Sequence, residues 1–423
     1  MFVPAPTDAA GHGLLPGQQF EVDVSQVAHG GHMVARVAGV AVFVRHALPG
    51  ERVRIELTEV KKRYARADAI DILTAHPQRR VPKCFVARPG GCGGCDFAHA
   101  EPVLQRELKT QVLREALIRH GGLSDEVVDD LVPDGVLDLG LTEGWRTRMH
   151  YRTVALGNSS RPVVGLHKHR STELIDASSC QIADPAGHKL ALGLAQQISA
   201  GSSIYMAHGD DEPVVSSASH DLVRHHIQVG ERQFTFETEL DGFWQIHPHL
   251  AQVLVDTALE WGQPRDGEQW WDLFSGVGPL AAGLGAAVGA SGYVEAVEAS
   301  ASAVTAGGRA LADLPWIRFH NAQVQQWVQA AVRARSRRSD RPVDGVVVDP
   351  PRSGMGRELV RSLAAVAPSR LIVVACDPVA LGRDVALLAE HGYVPVRMRA
   401  WDAFPDTHHL ETMGLFIQTD QIS

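Results

Sequence analysis

The stretch Leu371-Ile372-Val373-Val374-Ala375-Cys376-Asp377-Pro378 decides the fold class. Its apolar, largely β-branched run reads as a strand buried on both faces. The run stops at Pro378, which cannot continue a central strand. In an open α/β sheet, ligands sit at the carboxyl ends of the strands. Cys376 therefore stands where a nucleophilic thiolate would be useful. On this stretch alone a small buried cysteine is the commoner reading.

From Trp271 onward, strand-like runs alternate with helix-length segments, which predicts an α/β domain: a parallel sheet wrapped by helices. Asp272-Leu273-Phe274-Ser275-Gly276-Val277-Gly278 closes the first strand with a glycine turn. Gly276 and Gly278 would let a ligand approach the backbone at a helix N-terminus. The next strand ends at Glu298, an acid suited to ribose hydroxyls. Gly276, Gly278 and Ala281 also satisfy a dinucleotide fingerprint. Asp272, where such a strand is usually apolar, and Pro279-Leu280 in place of a third glycine favour S-adenosylmethionine over a nicotinamide cofactor. A further buried strand ends at Asp349, and Pro350-Pro351 hold a stiff loop after it. Asp402 to Glu411 then brings a carboxylate close to the end of the sequence.

Upstream the pattern changes. From Gln19 to about Leu73, short alternating segments are broken at Gly30-Gly31, Gly39 and Pro49-Gly50, as in a small β-barrel. Lys61-Lys62-Arg63-Tyr64-Ala65-Arg66 places a ring inside a basic run, which suits single-stranded nucleic acid or a merely solvated rim. Cys84, Cys92 and Cys95, with Cys180 farther on, have the spacing of a four-thiolate site for zinc or an iron–sulfur cluster. Residues 101–120 are spaced as an amphipathic helix. Arg146, Arg148, Arg152, Lys168 and Arg170 gather in the strand-like region that follows, as a phosphate-contacting face or a solvated edge. Residues 1–16 read as a loose lead-in, and the Arg333–Arg341 run as a surface loop without a role.

With 423 residues, 45% hydrophobic and 21% charged, the chain is an ordinary globular protein of two or three domains. No apolar stretch is long enough to span a bilayer, so no membrane partner is expected. Lacking a secretory start, the protein is expected in the cytoplasm, where five cysteines serve as ligands or catalysts rather than disulfides. The net charge of −9 argues against nucleic acid unless basic groups are locally concentrated.

The segment HGGHMVARVAGVAVFVRHALPGERV (residues 29–53) resembles the TRAM domain of RNA-modifying enzymes. Together with the four cysteines, FWQIH (243–247), DLFSGVG (272–278), VVVDPPRSG (346–354), VVACDPVALGRD (373–384) and DAFPDTHHLET (402–412), it makes the chain similar to the RNA uridine-5-methyltransferases. The nearest branch is the one with a TRAM domain and an iron–sulfur cluster that acts on 23S ribosomal RNA. This resemblance implies a TRAM/OB-like barrel over 17–75 and a central α+β domain with the four-cysteine site over 76–240. A Rossmann-like class I methyltransferase domain would occupy 241–423.

The same resemblance makes Cys84, Cys92, Cys95 and Cys180 the ligands of a 4Fe-4S cluster, with zinc as the alternative. It makes Gln245, Phe274, Glu298, Gln323 and Asp349 contacts of S-adenosylmethionine, Cys376 the nucleophile and Glu411 the base. The thiolate is the reactive form, so Cys376 is expected to have a pKa below ~8.5. The partner is RNA, ribosomal in preference to transfer RNA, and the protein is expected to be a monomer. A non-catalytic RNA-binding or assembly factor on the same scaffold is the rival. The sequence departs from the family at the seven residues between Cys84 and Cys92, at His247, at Pro279 and in ACDP.

Overall fold

The computed structural model describes residues 13–155, 161–335 and 341–419. Most of the lead-in and the centre of the Arg333–Arg341 run lie outside the described residues. Six strands come first: β1 (Gln19–Asp23), β2 (Val27–Ala28), β3 (His32–Val37), β4 (Val40–Arg45), β5 (Arg52–Val60) and β6 (Tyr64–Thr74). They form one sheet in the order β1-β5-β6-β4-β3-β2. Alternation sends Val42, Val44, Val53, Ile55 and Leu57 into a shared core. Of the basic run, Lys61 to Arg63 lie in the β5–β6 turn and Tyr64 opens β6.

Helices α1 (Pro102–Arg119) and α2 (Asp125–Leu131) and strand β7 (Val136–Asp138) follow. Next come β8 (Arg148–Val154), β9 (Val163–His167), β10 (Leu174–Asp176), α3 (Pro185–Ala195), β11 (Ser203–Ala207) and β12 (Val214–Ser216). These five strands make an antiparallel sheet, β10-β9-β8-β11-β12, backed by α3. A hairpin of β13 (Leu222–Val229) and β14 (Arg232–Glu239) leads out of this unit.

The remaining chain alternates α4 (Leu250–Gly262), β15 (Gln269–Leu273), α5 (Pro279–Val288), β16 (Tyr293–Glu298), α6 (Ala301–Ala310), β17 (Ile317–Asn321), α7 (Val324–Arg335), β18 (Gly345–Val348), α8 (Gly356–Val366), β19 (Arg370–Ala375) and α9 (Pro378–Ala389). Strands β20 (Tyr393–Asp402) and β21 (Glu411–Gln418) close it. The sheet runs β17-β16-β15-β18-β19-β21-β20-β7. Its first five strands are parallel, and β21 enters antiparallel to β19. Each face has its own core. Trp271, Val346 and Val373 pack on one side, and Trp270, Val347 and Val374 on the other.

One boundary differs from the expected one. Strand β7, within the segment assigned above to the central unit, pairs with β20 as the outermost strand of the C-terminal sheet. The reason lies in α1, whose apolar residues serve two cores. Leu104, Leu108 and Val112 pack into the barrel, whereas Leu113 and Leu117 pack with Val373 and Phe416. A Cβ on Gly382 of α9 would stand 2.5 Å from the Ala116 carbonyl, so glycine permits this close helix crossing. Helix α1 thus clamps the barrel to the catalytic sheet.

Candidate active site

The carboxyl ends of β15, β16, β18 and β19 open into one cavity of about 1250 Å³. After β15, Gly276 and Gly278 adopt φ of +55° and +89° and turn the chain into α5. A Cβ on Gly278 would lie 2.7 Å from Phe319, so only glycine fits there. Glu298, at the end of β16, accepts the Gly276 N–H at 3.1 Å and the Ser300 N–H at 2.8 Å. Asp272 accepts the Ala281 N–H at 2.8 Å. Burial, with Asp349 and Glu298 nearby, pushes its carboxyl up to about 8. The Asp272 Oδ1 and Ser275 Oγ atoms are buried and have no partner among the described residues.

Glu411 is placed by strand register. Ala375 of β19 lies opposite Thr412 of β21 as the last pair of the ladder, so Cys376 follows the end of one strand and Glu411 opens the other. Both line the cavity with Asp349 and Arg352. Burial pushes Asp349 up to about 7. Burial, and then the charge of Asp349, holds Glu411 well above the usual carboxylate range, and its Oε1 has no partner among the described residues. The Cys376 thiol is pushed up to about 12, first by burial and then by Glu411 and Asp349, with Arg352 pulling the other way. The expected low pKa is therefore corrected. A thiol between two carboxyl groups in a buried wall pays a desolvation and repulsion cost on ionising.

Of the expected contacts, Gln245, Phe274, Gly276, Glu298 and Asp349 line this cavity. Gly278 and Gln323 do not. Gly278 sits at the N-cap of α5, and Gln323 uses its carbonyl to accept the Trp327 N–H at the start of α7. The four cysteines come from the loop after the barrel and the turn before α3. Burial is the first cause that raises the pKa of Cys92, Cys95 and Cys180, and each also feels other thiols of the set. Among the described residues, no group of three or more His, Cys, Asp or Glu is placed to hold a single metal ion. Gly93 and Gly94, inside this loop, line the cavity.

The sequence did not reveal how the barrel reaches the site. His29, in the β2–β3 turn, lies 2.9 Å from Asp377, the residue after Cys376. Asp96, after Cys95, meets His408 Nδ1 at 2.5 Å and Arg45 of β4 at 3.4 Å. Arg352 Nη2 lies 3.3 Å from His409 Nε2. The only local signals were Asp96 beside a cysteine and the histidine pair before Glu411.

Residues 14–70 match the model of the TRAM domain, and residues 214–420 match that of the tRNA (Uracil-5-)-methyltransferases. An RNA methyltransferase of Streptomyces avermitilis is 36% identical over 94% of this chain and 98% of its own length. The 23S rRNA (uracil(1939)-C(5))-methyltransferase RlmD of Thiobacillus denitrificans is 30% identical over 93% of this chain and 99% of its own. The chain belongs to the RNA uracil-5-methyltransferase family. The fold agrees. The tRNA (uracil-54, C5)-methyltransferase of Pyrococcus abyssi, solved with S-adenosyl-L-homocysteine, superposes with a TM-score of 0.68 at 19% identity, covering 94% of this chain and 99% of that one. The C-terminal unit is thus the class I S-adenosylmethionine-dependent methyltransferase fold of this family, preceded by a TRAM domain. No helix among the described residues is long and apolar enough to cross a membrane.

Proposed function

We propose that this enzyme methylates carbon 5 of a uridine in 23S ribosomal RNA through a transient bond between Cys376 and carbon 6 of the ring. The observation that carries the reading is the convergence of Cys376, Glu411 and Asp349 on one cavity wall, with Cys376 and Glu411 delivered by the adjoining ends of the paired strands β19 and β21. Bound S-adenosylmethionine supplies an electrophilic methyl group. The residues present fit it. Phe274 and Gln245 offer a ring and an amide, Glu298 keeps lone pairs for ribose hydroxyls, and Ser275 Oγ and Asp272 Oδ1 are buried without partners among the described residues.

Carbon 5 of uracil is a poor nucleophile, and addition of sulfur at carbon 6 makes it an enolate carbon. Cys376 enters as a thiol, and its proton passes to a neighbouring carboxylate as the S–C bond forms. Asp349, whose burial raises its affinity for a proton, is suited to that transfer. After carbon 5 takes the methyl group, Glu411 removes its proton. The electron pair re-forms the ring double bond, and the thiolate leaves.

The RlmD relative and the TRAM domain favour ribosomal RNA. Transfer RNA is the second reading, favoured by the description of the family model and by the Pyrococcus neighbour. Cys84, Cys92, Cys95 and Cys180 would hold a 4Fe-4S cluster. Burial, and then neighbouring thiols, raises the pKa of Cys92, Cys95 and Cys180, which suits the set to a cationic occupant. Zinc is the alternative occupant that the same four thiols would hold. The enzyme would act as a monomer in the cytoplasm. Incubation with unmodified 23S rRNA and with transfer RNA, followed by mapping of 5-methyluridine, tests the reading. Methylation of neither RNA, or loss-free turnover by Cys376→Ala, would overturn it.

A further inference from the structure

The cationic groups around the molecule fall into two classes. On the barrel rim, Lys61, Arg66 and Arg170 all reach Glu59, at 2.8, 2.7 and 3.3 Å, and Lys168 reaches Glu173 at 2.5 Å. Two carboxylates there answer four cations, so about half of that charge is compensated within the protein. Strand β8 differs. Its alternation buries Met149, Tyr151 and Thr153 and turns Arg148, His150 and Arg152 to the opposite face. Among the described residues, no carboxylate stands within 4.0 Å of the guanidinium of Arg146, Arg148 or Arg152, although Arg148 feels Asp241 at longer range.

This face also carries a flat aromatic platform. Register pairs His150 with Tyr205 of β11, and their rings stack at 4.5 Å with an angle of 4° between planes. Ser203 steadies the arrangement, 3.1 Å from His150 Nε2 and accepting Arg152 Nη1 at 3.1 Å. The row starts at the catalytic cavity. Arg146 lines it, and Arg148 Nη2 donates at 3.2 Å to Thr238 Oγ1, another lining residue. From there His150 and Arg152 lead outward along the strand, with same-face neighbours recurring about every 6.8 Å.

We propose that this face of β8 and β11 is the track for the single-stranded RNA flanking the target uridine, with phosphates against Arg146, Arg148 and Arg152 and one base on the His150–Tyr205 pair. Uncompensated cations beside a stacking ring are what single-strand binding surfaces use. On a chain of net charge −9, such a row has to be local to attract a polyanion. The proposal rests on the RNA-methyltransferase reading, not on which RNA is the substrate.

His150 and Arg152 are exposed, so substitutions there spare the core. In the full chain, His150→Ala should weaken binding of deproteinised 23S rRNA roughly 5- to 150-fold. His150→Phe, which keeps a stacking ring, should restore it. Arg152→Gln should reduce the slope of log Kd against log salt by about 0.7. Methylation at saturating RNA and binding of S-adenosylmethionine should stay at wild-type levels. Unchanged affinity and slope in all three variants, with the parent active, would overturn the track. If the parent methylates only transfer RNA, the substrate reading fails, and the same comparison made with transfer RNA decides the track.

Discussion

Cys376 should be a reluctant nucleophile in the free enzyme. Its thiol, ordinarily near 9, is pushed up to about 12 by burial and by the charges of Glu411 and Asp349. At pH 8 an ordinary thiol is ~10% ionised and one near 12 only ~0.01%, which slows alkylation roughly a thousandfold. The cavity admits solvent, and screening that halved the displacement would still leave about thirtyfold. Pulsed iodoacetamide labelling from pH 7 to 10, read by mass spectrometry on the peptide carrying Cys376, measures this directly. Reactivity should climb with pH and show no plateau below pH 10. Glu411→Gln should speed labelling, and Arg352→Gln, which removes the opposing cation, should slow it. A plateau reached by pH 8 would mean a pre-ionised thiolate and would refute the reasoning.

Three other outcomes follow from the packing. Lys109, fully buried on α1, donates to Asp402 at 2.5 Å and to the Phe404 carbonyl at 3.1 Å. Lys109→Met should therefore cost about 3–5 kcal/mol in urea unfolding by stranding the Asp402 charge, and unchanged stability would contradict a buried ion pair. Gly278→Ala meets both a φ of +89° and the Phe319 ring at 2.7 Å. It should weaken S-adenosylmethionine binding roughly 5- to 150-fold by calorimetry, as strain of about 1–3 kcal/mol distorts the turn. Cys180→Ala should remove the brown colour and broad visible absorbance expected after anaerobic purification, and persistence of both would exclude Cys180 as a ligand.

What could be read from the sequence was whatever local pattern determines. The strands ending at Asp349 and Cys376 are continuous apolar runs because both sheet faces are covered. The barrel strands carry their alternation and glycine turns in plain view. Strand β7 was not legible: Val136–Asp138 is too short for a period, and only pairing with β20 makes it a strand. Nor was the double duty of α1, since one amphipathic helix looks the same whichever cores it serves. Gln323 stands in the expected order along the chain, and its backbone carbonyl opens α7. The contacts of His29 with Asp377 and of Asp96 with His408 span more than 300 residues, so only folding creates them. The thiol pKa is the same kind of property, because it depends on two acids delivered by different strands.

The bond between Cys376 and the uracil ring is the centre of this account. Glu411→Gln should form that bond and fail to release it, because loss of a general base slows proton removal by ~10²–10⁴. Mixed with substrate RNA and S-adenosylmethionine, the variant should give an RNA-linked protein band on a denaturing gel, absent when Cys376→Ala is added. A Glu411→Gln enzyme that turns over freely without such a band, or a band that survives loss of Cys376, would contradict it.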